Sequence, residues 1–192
     1  MSMDNIEKRF LVIVDNSYMQ YFTIFGAVSD FQRECPDEAA VWIKPVEECD
    51  QESLPDLLGC QSFRRILKKY YMKRLETIDD IVNRNFEQET CGSANVDVLF
   101  ACDDKLKRSF RLDLYPQYKA NRLAVKRPYR LGPIKDYIEN VLRKELELEN
   151  GLGYRFVKTP GAEGDDVIAV ALTSFQDRYS GAVLISSDRD FL

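Results

Sequence analysis

Histidine is absent from all 192 residues. Its absence excludes histidine general bases, His-ligated zinc and Ser-His-Asp triads. Proton chemistry is left to carboxylates, Lys, Tyr or water on a metal ion. No run of eighteen apolar residues exists, which argues against a membrane span. The first residues, M-S-M-D-N-I-E-K-R-F, lack the basic-then-apolar pattern of a secretory leader. The five cysteines (Cys35, Cys49, Cys60, Cys91 and Cys102) form an odd set with no C-x-x-C pair. Such a set fits reduced thiols in a cytoplasm and not a disulfide framework. Length and hydrophobic content are those of one large globular domain with a sizeable core.

Aspartate is present in a telling arrangement. Three short apolar runs each end in it: Phe10–Val14 before Asp15, Val96–Cys102 before Asp103 and Asp104, and Ala182–Ile185 shortly before Asp188 and Asp190. Glu163, Asp165 and Asp166 stand at the start of a further helical stretch. Taken singly, an Asp after a strand is as well explained as a cap or a turn residue. Taken together, the acids suit the carboxyl edge of an open parallel sheet, where ligands bind. Like charges gathered there need a neutralising partner, and hard divalent cations prefer oxygen ligands. The pattern predicts a magnesium site, and magnesium held by carboxylates usually acts on phosphate.

The net charge of −5 gives no hint of a polyanion, but its distribution does. From Lys105 to Lys135 there are ten Lys or Arg and one acid, Asp113. Phe110, Tyr115, Tyr118 and Tyr129 are interleaved with these cations. Aromatics among arginines suit base stacking and phosphate contact, which a plain solvated surface does not require.

Strands are expected at 10–14, 96–102, 154–157 and 182–187, with helices beginning at 17–27 and spanning 61–89, 136–148 and 167–175. Asn16 or Ser17 is the expected cap of the first helix. The stripe Phe63, Ile66, Leu67, Tyr70, Tyr71, Leu75 and Ile78 is expected to face the core. Residues 28–60, acidic and with Pro36, Pro45 and Pro55, read as a long loop or insertion. Strands alternating with helices imply an α/β fold with a mainly parallel central sheet flanked by helices.

The segments F-L-V-I-V-D (10–15), F-A-C-D-D (100–104), S-F-R-L-D-L-Y-P-Q-Y-K-A-N-R (109–122), G-A-E-G-D-D-V-I-A (161–169) and S-S-D-R-D-F (186–191) resemble the 5′-nuclease superfamily. This is the superfamily of flap endonucleases and 5′→3′ exonucleases, in its bacteriophage or polymerase-associated branch. The resemblance implies a three-layer PIN-like domain over 1–192, with 105–135 as a basic arch or gateway. It implies phosphodiester hydrolysis with two Mg2+ ions, for which Mn2+ can substitute. Asp15, Asp103, Glu163 and Asp165 resemble ligands of the first ion, with Asp166 assisting. Asp188 and Asp190 resemble ligands of the second. Lys119 and Arg122 resemble the basic pair on the scissile phosphate. Arg111 resembles a further backbone-contacting arginine, and Tyr115, Tyr118, Lys126, Arg127 and Arg130 complete the expected nucleic-acid surface. The implied partner is DNA with a 5′ flap, a nick or an RNA primer, in a bacterial or phage-infected cytoplasm and away from membranes.

The family continues past S-D-x-D-F into a helix–three-turn–helix region that grips duplex DNA. This chain stops at Leu192. A fragment, a truncation or one part of a split nuclease completed by a second polypeptide is therefore expected. Acting alone, it is expected to bind the second ion and duplex poorly and to cleave weakly or not at all. Two alternatives stand beside the 5′ nuclease: a PIN-type endoribonuclease, and a non-catalytic nucleic-acid-binding piece.

Overall fold

The computed structural model describes residues 8–45, 54–86, 95–104, 110–120, 128–150 and 153–191. Strand β1 (Arg9–Asp15) runs directly into helix α1 (Asn16–Glu34). A short helix α2 (Pro36–Trp42) and a long helix α3 (Gln61–Phe86) precede strand β2 (Asn95–Cys102). One helical turn, α4 (Phe110–Leu114), follows. Helix α5 (Leu131–Tyr137) passes through a π-helical turn at Ile138–Leu142 into α6 (Arg143–Asn150). Strand β3 (Arg155–Lys158), helix α7 (Gly164–Ser174) and strand β4 (Gly181–Ile185) end the described chain, with a 3-10 turn at Arg189–Phe191.

The four strands form one parallel sheet in the order β3-β2-β1-β4. Between Arg9 and Asp15, the central strand β1 is apolar on both faces and buried, as a sheet covered on both sides requires. On one face Leu11, Ile13 and Ala101 pack against Val167, Ile168 and Ala171 of α7. On the other, Phe10 packs on Phe86 of α3 at 4.5 Å, and Phe100 stacks on Phe156 at 4.5 Å. Val12, Ile13 and Val14 are fully buried between these layers. The expected three-layer α/β arrangement is therefore observed.

The chain divides into two compact units. The sheet unit comprises residues 1–19, 76–113 and 153–192. The second unit, residues 20–75 and 114–152, is helical among its described residues. Its core gathers Ile24, Phe31, Phe63, Leu67, Ile134, Ile138 and Leu142, with Phe31 edge-on to Phe63. Gly26 is required there, because a Cβ would fall 2.4 Å from the Tyr70 ring.

Several expectations change. Residues 28–60 are not a loop throughout: α1 extends to Glu34, α2 follows, and a 3-10 turn forms at Leu57–Gly59. Burial of Val28, Phe31 and Ala39 supplies the driving force that the acidic composition conceals. Pro36 sits at the start of α2, where its missing N–H costs nothing, and Asp37 and Glu38 favour the positive helix end. Helix α7 begins at Gly164, three residues before the expected start. Tyr129 is buried and not available for stacking on a base. Lys135, also buried, places its Nζ 3.7 Å over the Tyr21 ring. The stripe on α3 faces the core as expected. Cys35, Cys60 and Cys102 are thiols, whereas Cys49 and Cys91 lie outside the described residues.

Candidate active site

The strand order places a topological switch between β1 and β4. Successive connections carry the chain from β1 outward to β2 and β3, and then back across to the far side of β1. Crevices form at the carboxyl ends of strands on either side of such a switch. Asp15, the last residue of β1, lies there and is buried. Its Oδ2 accepts from the Ser186 hydroxyl just beyond β4 (2.8 Å), and its Oδ1 from the Tyr18 N–H (3.1 Å).

Asp103, one residue past β2, joins the same edge. Its Oδ2 accepts from the Ser17 hydroxyl (2.6 Å) and its Oδ1 from the Gly164 N–H at the start of α7 (2.7 Å). Gly164 is needed for this approach, since a Cβ would lie 3.3 Å from both Ala101 O and Asp103 Oδ1. Asp104 accepts from the Gly161 N–H (2.8 Å), while its own N–H donates to Ala162 O (3.1 Å). It thereby clips the turn before α7 to the end of β2. Gly161 adopts φ 76°, a left-handed conformation suited to glycine.

Glu163, Asp165 and Asp166 occupy the entry to α7, where the positive end of the helix favours them. Asp166 Oδ2 accepts from the Glu163 N–H (2.9 Å). Arg111 grips this group: Nη1 donates to Asp166 Oδ2 (2.9 Å), Nη2 to Asp166 Oδ1 (2.7 Å), and Nη1 lies 3.2 Å from Glu163 Oε2. The arginine expected on a phosphate backbone is thus found on two carboxylates.

Asp188 and Asp190 are exposed in the turn after β4. They connect to the edge through Ser186, whose hydroxyl accepts from the Asp188 N–H (3.0 Å), and the Asp190 N–H donates to Asp188 Oδ1 (3.1 Å). Hydrogen bonds therefore string Asp188, Ser186 and Asp15 together on one side, and Ser17, Asp103 and α7 on the other. Every donor on this edge is a hard oxygen, which suits Mg2+ or Mn2+ in kind. Among the described residues, no three acids stand close enough to hold an ion as they are arranged here. Ser17, Ser186, backbone amides and Arg111 take up their oxygens instead. The acids suit a divalent cation by the chemistry of their oxygens, but as they stand those oxygens are taken by the protein's own donors.

The basic residues divide differently. Lys119 belongs to the second unit, half-buried, with Nζ 5.0 Å from the Tyr118 ring centroid. At φ 57° it is the one non-glycine residue with positive φ among those described. Strain of this kind gathers at functional positions. Tyr115 and Arg130 are exposed and Tyr118 is half-buried. Arg122, Lys126 and Arg127 lie outside the described residues.

Sequence reasoning missed Ser17 and Ser186. Both lie within two residues of an expected ligand, in D-N-S and S-S-D, and that proximity was the available signal. A cavity of about 520 Å3 also opens beside α7, lined by Leu11, Leu99, Val157 and Val170, with Arg9 and Asp97 at its rim. Neither Asp15 nor Asp103 lines it, but Thr159, Ala162 and Asp166 do, so it reaches the acidic edge only at the entry to α7.

Residues 84–192 match the family described as 5′-3′ exonuclease, N-terminal resolvase-like domain. A 5′-3′ exonuclease of Buchnera aphidicola subsp. Schizaphis graminum is 25% identical over 118 residues, 62% of this chain and 35% of that protein. A 5′-3′ exonuclease of Mycobacterium tuberculosis is 31% identical over 86 residues, 43% of this chain and 26% of that one. The chain thus spans about a third or less of the length of these curated relatives. Among solved structures, a pseudo-enzyme–product complex of the bacteriophage T5 D15 flap endonuclease with DNA and metal ions aligns at a TM-score of 0.49 and 16% identity. That alignment covers 95% of this chain and 50% of the other.

Proposed function

The chain belongs to the 5′-3′ exonuclease N-terminal, resolvase-like domain family, and on that premise we propose that it hydrolyses phosphodiester bonds at 5′ ends or flaps of DNA or RNA-primed duplexes. One observation carries the reading. Acids 88 positions apart, Asp15 and Asp103, end neighbouring parallel strands on one sheet edge, where Asp103 accepts from Ser17 and from the Gly164 N–H of α7 and Asp15 accepts from Ser186 beyond β4. In this reading Asp15, Asp103, Glu163 and Asp165 hold a first divalent cation, with Asp166 beside it. Asp188 and Asp190 hold a second. The cations, when bound, supply an ionised nucleophile at neutral pH and neutralise charge growing on the phosphate.

The chain's own residues do the rest. Ser17 and Ser186 orient the Asp103 and Asp15 carboxylates, and the close approach of Gly164 fixes Asp103 against α7. Lys119 and Arg122 place positive charge where it develops in the transition state. Tyr115 and Tyr118 offer stacking surface, and Arg130, Lys126 and Arg127 offer phosphate contacts.

The test is cleavage of a 5′-flap DNA and of a single-stranded RNA in Mg2+ or Mn2+. Flap cleavage abolished by Asp165→Asn is expected. Cleavage of RNA alone, or DNA binding with no cleavage under either ion, overturns the proposal.

A further inference from the structure

The carboxylates at the entry to α7 already have a cation. Arg111 holds Asp166 with both Nη atoms at 2.9 and 2.7 Å and stands 3.2 Å from Glu163 Oε2. Its guanidinium also lies 5.2 Å from the Phe110 ring, and the Phe110 N–H donates to Gly161 O (3.3 Å). The single turn α4 is thus tied to the loop that leads into α7. Arg111 and Asp166 are only about a quarter exposed, and Glu163 less, so solvent weakens this contact little. A fork of this shape suits carboxylate and phosphate alike.

We propose that Arg111 is a built-in counter-ion that sets the divalent-cation affinity of the acidic edge: it neutralises Glu163 and Asp166 while no cation is bound and gives them up when one binds. The inference rests on the cation-binding reading above. A divalent ion that takes oxygens from Glu163 or Asp166 must displace the guanidinium or tolerate it at close range, and two cations there repel. Arg111 therefore opposes the ion by the coupling between them, and it stabilises the ion-free fold by relieving like-charge crowding. The residue belongs to the basic stretch, so its release turns a cationic fork from carboxylate toward phosphate only once the site is loaded.

The experiment titrates Mn2+ against the wild-type chain, Arg111→Met and Arg111→Lys, following free Mn2+ by electron paramagnetic resonance. Circular dichroism reports the fold. Arg111→Met is expected to bind Mn2+ about tenfold more tightly than wild type, with Arg111→Lys between them. Arg111→Met is also expected to melt at a lower temperature in chelator. In the wild-type chain, Mn2+ is expected to speed amide hydrogen exchange over residues 110–114. That readout stands even where a variant fails to fold. Equal or weaker Mn2+ binding by folded Arg111→Met, or slowed exchange over 110–114, overturns the inference and leaves the cation site intact. Absence of Mn2+ binding to wild type and variants alike overturns the site and the inference together.

Discussion

Removing one hydroxyl at the opposite end of the sheet tests how stability and chemistry are divided. The Tyr179 OH donates to Asp97 Oδ2 at 2.8 Å, and the same oxygen lies 2.7 Å from Arg9 Nη2, while Arg155 Nη2 is 3.7 Å from Oδ1. Asp97 is 19% exposed, but Arg9 is 47% and Arg155 70% exposed. The two arginine pairs are therefore screened and contribute little. The phenol bond to a sheltered carboxylate is the strongest of the three. Hydrogen bonds to charged groups contribute about 1.5–3 kcal/mol. With Arg9 still in place after the change, Tyr179→Phe should cost about 1–2 kcal/mol. In a chain of this size that lowers Tm by roughly 3–6 °C.

The pH dependence follows from the same contacts. Burial pushes the Asp97 carboxyl up, but the Tyr179 and Arg9 hydrogen bonds and the charges of Arg9 and Arg155 outweigh it, and the group is held below its ordinary value. Its contribution is complete above the unfolded carboxylate pKa of about 3.9 and is lost as pH falls through the lower folded value. Burial, then the hydrogen bond to Asp97 and its charge, push the Tyr179 phenol up. Its contribution is complete below the unfolded value of about 10 and is lost as pH rises through the higher folded one. The Tyr179→Phe deficit should therefore be flat from about pH 5 to 9 and shrink beyond both limits. Urea unfolding followed by circular dichroism at pH 3, 7 and 10.5 measures it. A deficit below about 0.3 kcal/mol at pH 7, or one undiminished at pH 3, refutes the reasoning. Asp97 pairs with Leu11, four residues before Asp15, or roughly 13 Å along the strand. That exceeds the screening length at physiological salt, so the rise in Tm caused by Mn2+ should be the same in both proteins.

Two further outcomes are expected. Gly164→Ala sets a Cβ 3.3 Å from Ala101 O, which as backbone cannot yield, and from Asp103 Oδ1. Crowding of about 1–3 kcal/mol outweighs the 0.4–1 kcal/mol gained from a stiffer unfolded chain; a variant that melts higher with unchanged Mn2+ affinity contradicts this. Lys119→Ala should slow single-turnover cleavage by about 10²–10³ while changing substrate Kd less than threefold, as expected of a group acting in the transition state; losses confined to affinity count against that role.

Strand β1 was legible because burial on both faces leaves it an unbroken apolar run, β2 and β4 because most of their residues are apolar, and Asp15, Asp103 and Asp188 because they follow those runs. What escaped depends on long-range pairing or on local composition that misleads. Ser186 and Asp15 lie 171 positions apart, and no period in either neighbourhood announces their contact. Arg111 reads equally well as a ligand for phosphate or carboxylate, and only the position of Asp166 decides between them in this conformation. The acidic, proline-marked stretch from residue 28 hid Val28 and Phe31, which continue the helical spacing of the buried Ile24 and Ala27, and Ala39, which is the one buried residue of α2. The basic stretch misled in the reverse sense: Tyr129 and Lys135 belong to the core of the helical unit and not to its surface.

The acidic edge also explains why its acids are so thoroughly supplied with donors. A sheet that switches direction between β1 and β4 opens a crevice where Asp15 and the turn after β4 must face each other. Without a cation, bringing Asp103 to the same edge would set carboxylates against one another in a sheltered place. Hydroxyls from Ser17 and Ser186, the Gly164 amide and the Arg111 guanidinium answer that cost one oxygen at a time. None of these donors carries the double charge of a divalent ion. In the proposed reading, the edge stays folded when empty because these donors serve its acids, and takes up cations by exchanging the donors for them.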